Sequence, residues 1–192
     1  MSTPRERDRR IDSLWGYVFR NGADETETDN LRVLSRIPLF ERLSRRELRK
    51  VLGIIHHRRF APGEHVFTCG QPGAAMFVIK KGTVEIVAPG RDGAETVLAQ
   101  LTDATFLGEL ALLDDSPRSA SARALEPTEV FALFRSDLNR FFETEHEIAG
   151  KILRQLAMVV GQRLKATNQQ LSTLRQRAGT RSEDGTTDRT HA

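Results

Sequence analysis

The chain has 192 residues, 39% of them hydrophobic and 29% charged, with a net charge of +3. That is long enough for one core-forming domain of about 120 to 150 residues with extensions, and too weakly basic, even at a pI near 9.4, for a dedicated nucleic-acid binder. Cys69 is the single cysteine, which excludes an internal disulfide and a cysteine-rich metal site and suits a reduced compartment.

The N-terminus, MSTPRERDRR, carries charge without the apolar stretch of a signal peptide. No apolar run approaches the length of about 20 residues that crosses a bilayer. A cytoplasmic location is expected, with no transmembrane segment. A short amphipathic helix follows, because Ile11, Leu14, Trp15, Val18 and Phe19 fall on one helical face. The stretch NGADETETDN (21–30) reads as an acidic linker closing an N-terminal segment of residues 1–30. LRVLSRIPLFERL is a helical segment interrupted by Pro38. Ser44 and Glu47 have the spacing of a capping box, which predicts a helix through about His56. On that helix Arg45, Arg46, Arg49 and Lys50 read as a solvated face.

The middle of the chain reads as β. HVFTC, MFVIK, TVEIVA, ETVLAQL and TEVFALF are rich in Val, Ile, Phe and Thr. The turn signals APGE, CGQPGA, KKG and APGRDG separate them, and spacings of about 8 to 12 residues favour an antiparallel sandwich or barrel. A hairpin loop is expected over Pro89 to Gly93. His56 and His57 are adjacent and point apart in either a helix or a strand, so no metal site is expected there. Ser136 is a candidate cap for a short helix through Phe142. A long helix is predicted over 145–178, followed by a polar tail, 179–192, expected to be disordered. Along that helix Leu153, Leu156, Val160, Leu164, Thr167, Leu171, Leu174 and Ala178 repeat at steps of three and four. This is close to an a/d seam, and it predicts a homodimer.

The chemistry concentrates in FLGELALLDDSPRSASARA (106–124). Gly108 allows close backbone approach to a ligand. A short helix from Glu109 would aim backbone N–H groups at an anion, and Arg118 beside Pro117 could fork onto phosphate oxygens. Glu109 would repel a phosphate, so it fits sugar hydroxyls instead. The serines at 116, 119 and 121 have no histidine placed to activate them, so no enzyme is expected.

This segment closely resembles the phosphate-binding cassette of cyclic-nucleotide-binding domains. The pattern G-E-x-A-L, then P-R-x-A, stands here as Gly108-Glu109-Leu110-Ala111-Leu112 and Pro117-Arg118-Ser119-Ala120. The resemblance runs from about Pro38 to Gly161. It implies a mainly β, α+β fold: an antiparallel, eight-stranded β-roll over residues 31–144 with helices at both ends and a short cassette helix. It implies a cyclic mononucleotide ligand, cAMP or cGMP. Glu109 would take the ribose 2′-hydroxyl and Arg118 the cyclic phosphate. The backbone around Leu110, Ala111 and Ala120 would complete the phosphate cradle, and Leu107 would line the base pocket. Ser119 lies where the family varies with base preference and leaves the base open, with cAMP favoured. One departure is CGQPG (69–73), where many relatives have an acidic residue. The C-terminal helix would cap the ligand and pass its signal to a protein effector. No direct DNA binding is expected, since a polar tail stands where a helix-turn-helix would follow. Rival readings are a ligand-free scaffold for dimerisation or docking, and the sensor piece of a bacterial activator-type transcription regulator.

Overall fold

A computed structural model describes residues 26–90 and 94–183, with side chains to residue 173. The amphipathic stretch Ile11–Phe19, the apex of the 89–93 loop and the tail from residue 184 lie outside the described residues.

The described chain starts in helix α1 (26–35), so the acidic stretch expected to be a linker is helical from residue 26. Leu31 and Leu34, three apart, bury on one face of α1. Asn30 is buried beside them and accepts from Lys80 Nζ at 2.9 Å. These contacts, not the local acidity, decide the conformation. A 3-10 turn over Pro38–Phe40 follows. Helix α2 (Arg45–Leu52) opens with the predicted capping box: Ser44 Oγ accepts from the Glu47 N–H, and Glu47 Oε2 accepts from the Ser44 N–H at 2.7 Å. The helix stops at Gly53, short of His56, because His56 enters a strand.

Eight strands form two antiparallel four-stranded sheets. They are β1 (His56–Phe60), β2 (His65–Phe67), β3 (Ala75–Lys81), β4 (Val84–Pro89), β5 (Glu95–Leu101), β6 (Phe106–Leu107), β7 (Ser121–Ala124) and β8 (Thr128–Phe134). The orders are β1-β8-β3-β6 and β2-β7-β4-β5. This is the β-roll the resemblance implied. Strands β1, β6 and β7 have no composition signal of their own. HHRRF is a strand because it pairs residue for residue with β8, and SARA because it lies between β2 and β4.

Strands β3 and β8 are buried on both faces. Phe77, Ile79, Val130 and Ala132 face the core between the sheets, where Ala122 and Leu107 meet them. Met76, Val78, Phe131 and Leu133 face the helices, against Leu34, Phe40, Leu138 and Ile152. Period-two alternation with apolar residues on both sides explains why these strands read as unbroken hydrophobic runs.

Helix α3 (Arg135–Thr144) starts one residue before Ser136, so Ser136 is not its cap; Phe134 holds that position without a side-chain bond. Helix α4 runs from His146 to Glu183, past the expected end at Ala178. Its predicted seam divides. Leu156 is 2% exposed in the domain's own core and Val160 packs against that core, whereas Leu153, Leu164 and Leu171 are 46%, 61% and 48% exposed. The side chains of Leu174 and Ala178 lie outside those described.

The capping box also ties α2 to α4, since Lys151 Nζ reaches Glu47 Oε1 at 2.6 Å. That ammonium, with the Ser44 N–H, holds the Glu47 pKa down from 4.5 to about 2. A depressed carboxyl stabilises the fold above its unfolded pKa and loses that contribution as pH falls through the folded value. The wild-type chain is therefore expected to lose stability between about pH 5 and pH 2 more steeply than Glu47→Gln. Denaturant titrations across that range check this; parallel curves would refute it.

Candidate functional site

Strand β6 lays Phe106 and Leu107 against Val78 and Phe77 of β3. The chain then turns at Gly108, whose φ of 72° favours glycine. A Cβ there would stand 2.4 Å from Arg118 Nη1. Glycine is needed for the turn and for the guanidinium beside it. A single 3-10 turn, Glu109–Leu112, follows, and its Ala111 N–H donates to the Gly108 carbonyl at 3.2 Å. That N–H of the expected phosphate cradle is therefore engaged within the turn.

Arg118 enters from the far side of the cassette. Its backbone is laced to the loop before β3: the Arg118 N–H donates to Gln71 O, and the Gly70 N–H donates to Arg118 O, both at 2.8 Å. Pro117 forms a bridge with Pro72 beside them. The side chain runs inward, where Nη2 donates to Ala75 O at 2.6 Å and Nη1 to Gly108 O at 3.2 Å. The guanidinium carbon sits 4.2 Å from the Phe67 ring centroid. Arg118 Nε is buried with no partner. Burial pulls the Arg118 pKa down, while the nearby Glu109 charge pulls it up. A cation stripped of water, with one donor unsatisfied, is a configuration that an anion relieves.

Glu109 is 3% exposed and does not pair with Arg118. Its carboxylate accepts instead from Arg163 of α4, whose guanidinium lies over the Phe106 ring. Sequence reasoning missed Arg163. It stands seven residues after the buried Leu156, two turns along the same helical face, and that spacing was the available signal.

Between these groups lies a cavity of about 490 Å³. All nine expected site residues line it: Leu107, Gly108, Glu109, Leu110, Ala111, Pro117, Arg118, Ser119 and Ala120. Phe67, Ile86, Ala99 and Leu101 supply an apolar wall from β2, β4 and β5. The cavity thus combines an apolar wall with a buried acid, Glu109, and a buried cation, Arg118.

Residues 57–145 match the family profile described as the cyclic nucleotide-binding domain. The chain belongs to the cyclic nucleotide-binding domain family. It is 35% identical over 123 residues to the cyclic AMP receptor protein of Thermus thermophilus, covering 62% of this chain and 57% of that one. It is 37% identical to a cAMP-dependent protein kinase regulatory subunit of Mycosarcoma maydis, over 61% of this chain and 23% of the subunit. The N-terminal domain of a transcriptional regulator from Streptomyces coelicolor A3(2) superimposes with a TM-score of 0.64 at 32% identity, covering 71% of this chain and 95% of that domain. The chain thus spans little more than half of the first of these curated relatives and under a quarter of the second.

The family is a ligand-binding one rather than an enzyme family. Elsewhere on this cyclic nucleotide-binding domain, His56 and His57 diverge. His56 Nε2 lies 2.7 Å from Asp137, and the His57 ring packs edge-on against Phe131. Among the described residues no His, Cys, Asp or Glu group is arranged to hold a metal. Among them too, no helix is long and apolar enough to cross a membrane. Of the basic run on α2, Arg49 and Lys50 pair with Glu27 and Glu145 of the same chain.

Proposed function

We propose that this chain is a non-catalytic cytoplasmic receptor for a cyclic mononucleotide, cAMP in preference to cGMP. Arg118 would pair with the cyclic phosphate, Glu109 would accept from the ribose 2′-hydroxyl, and Leu107 would face the base. The unpartnered, buried Nε of Arg118 carries this reading. Two relatives whose names contain cAMP support the choice of base, and Ser119 is compatible with it. Ligand would displace the cassette turn and shift the population of α3 and α4 arrangements, signalling to a protein effector. Calorimetric titration with cAMP, cGMP and linear AMP tests the receptor. Heat with cAMP and none with AMP is expected. Silence for all three at hundreds of micromolar would promote the ligand-free scaffold.

The same reading makes the chain a homodimer through α4. The exposed Leu153, Leu164 and Leu171 support it, since a self-packed helix has no use for them. Leu164→Glu with Leu171→Glu is expected to convert dimer to monomer, weakening association by about a hundredfold or more. Sedimentation velocity reads this; a dimer that survives both charges would place the interface elsewhere. A second reading, the sensor part of a transcriptional regulator, is favoured by the match to the Streptomyces regulator domain. A helix-turn-helix encoded in a longer reading frame would establish it.

A further inference from the structure

The cassette turn is gripped at both ends by arginines. Arg118 holds its start, at Gly108 O, and Ala75 O at the first residue of β3. Arg135, the first residue of α3, holds its end. Arg135 Nη1 donates to Ala111 O at 2.9 Å, to Gly73 O at 3.3 Å and to Asp114 O, while Nη2 meets the Asp115 carboxylate. The Arg135 N–H also donates to Ala74 O at 2.9 Å. The side chain therefore collects carbonyls from the cassette turn, from the loop after it and from Gly73, and the backbone N–H adds Ala74. The two arginines grip the same two pieces of backbone.

The surrounding packing makes the Glu109–Leu112 turn a stiff intermediary. A Cβ on Gly73 would meet the Ala111 Cβ at 2.9 Å and Ser116 O at 3.2 Å, so the loop and the turn are in direct contact. Phe134, at the N-cap of α3, makes no side-chain capping bond. Helix α3 touches both the cassette turn and α4, and α4 brings Arg163 back to Glu109. The Asp115 contact is the weakest of Arg135's bonds. That carboxylate is 90% exposed, so its pair is screened and contributes little. The carbonyl contacts carry the coupling.

Resting on the receptor reading above, we infer that Arg135 is the positioning residue that transmits movement of the cassette turn to α3, and through α3 to α4. It touches no ligand. An anion that draws Arg118 away from Gly108 O moves the turn, and the Ala111 and Asp114 carbonyls take Arg135 with them. Lysine retains the charge but cannot reach three carbonyls and a carboxylate from one planar fork.

The test uses the full chain in a Cys69→Ser background, with spin labels at the exposed positions 81 and 158 and distances measured with and without saturating cAMP. The parent is expected to show a cAMP-dependent shift, and Asp115→Ala to retain it. Arg135→Gln is expected to bind cAMP within about threefold of the parent while losing most of the shift, with Arg135→Lys intermediate. A full shift in Arg135→Gln overturns the inference. So does a loss of affinity with the shift intact at saturation, which would make Arg135 a pocket-shaping residue only. If Arg135→Gln does not fold, Arg135→Lys decides, and an unchanged shift there overturns it. A parent that binds cAMP without any shift refutes the coupling alone. A parent that binds no cAMP refutes the receptor reading and the coupling with it.

Discussion

Arg118→Ala is expected to weaken cAMP binding by about a hundredfold or more while changing the stability of the ligand-free fold by no more than about 1 kcal/mol. Two opposing effects produce the small stability change. The substitution removes hydrogen bonds to Ala75 O and Gly108 O, leaving both carbonyls short of a donor. It also removes a desolvated cation with an unsatisfied Nε, which costs the ligand-free protein free energy. With ligand present nothing offsets the loss, because the other cation among the described residues lining the cavity, Arg163, is half-exposed and already paired with Glu109. A charge-assisted pair in such a place is worth about 2 to 5 kcal/mol, and each 1.4 kcal/mol is tenfold in affinity. Glu109→Ala is expected to be the smaller loss, since ribose hydroxyls bring no charge. Calorimetry for affinity and thermal melts without ligand check both halves. Binding within about fivefold of wild type in Arg118→Ala would move the phosphate site elsewhere.

Gly108→Val is expected to remove binding and to cost about 2 to 4 kcal/mol of stability together. A β-branched residue at φ 72° is strained whatever space surrounds it. Here the space is taken as well: the new Cβ would lie 2.4 Å from Arg118 Nη1 and 3.4 Å from Ala75 O. The guanidinium must leave its two carbonyls, so the phosphate cation is misplaced even where the chain still folds. Gly161 is the contrasting control. It lies in α4 with nothing within 4 Å of a Cβ, and Gly161→Ala is expected to gain about 0.5 to 1 kcal/mol of helix propensity. Chemical denaturation with cAMP titration separates the two variants. A Gly108→Val protein of wild-type stability and affinity would show that neither the turn nor the close approach is needed.

The sequence alone determined the features whose physics is local. The capping box joins Ser44 to Glu47, three positions apart, and both of its bonds form as the spacing requires. The run FLGELALLDDSPRSASARA places a glycine, an acid and an arginine within one short segment, and the nine expected residues line one cavity. The apolar runs MFVIK and TEVFALF read as strands, and β3 and β8 form over them. The tertiary structure decided what depends on partners far along the chain. HHRRF is a strand because β8 lies beside it. Leu156 turns inward, away from the seam its spacing suggested, because Leu138 and Ile152 complete a core there. Arg163 reaches Glu109 across 54 residues, and Arg135 reaches Ala111 across 24. Periodicity assigns a side chain to a face of its own helix or strand. Only packing decides which distant backbone that face meets, so the cassette segment that lines the pocket is legible in one dimension and its connection to the helices is not.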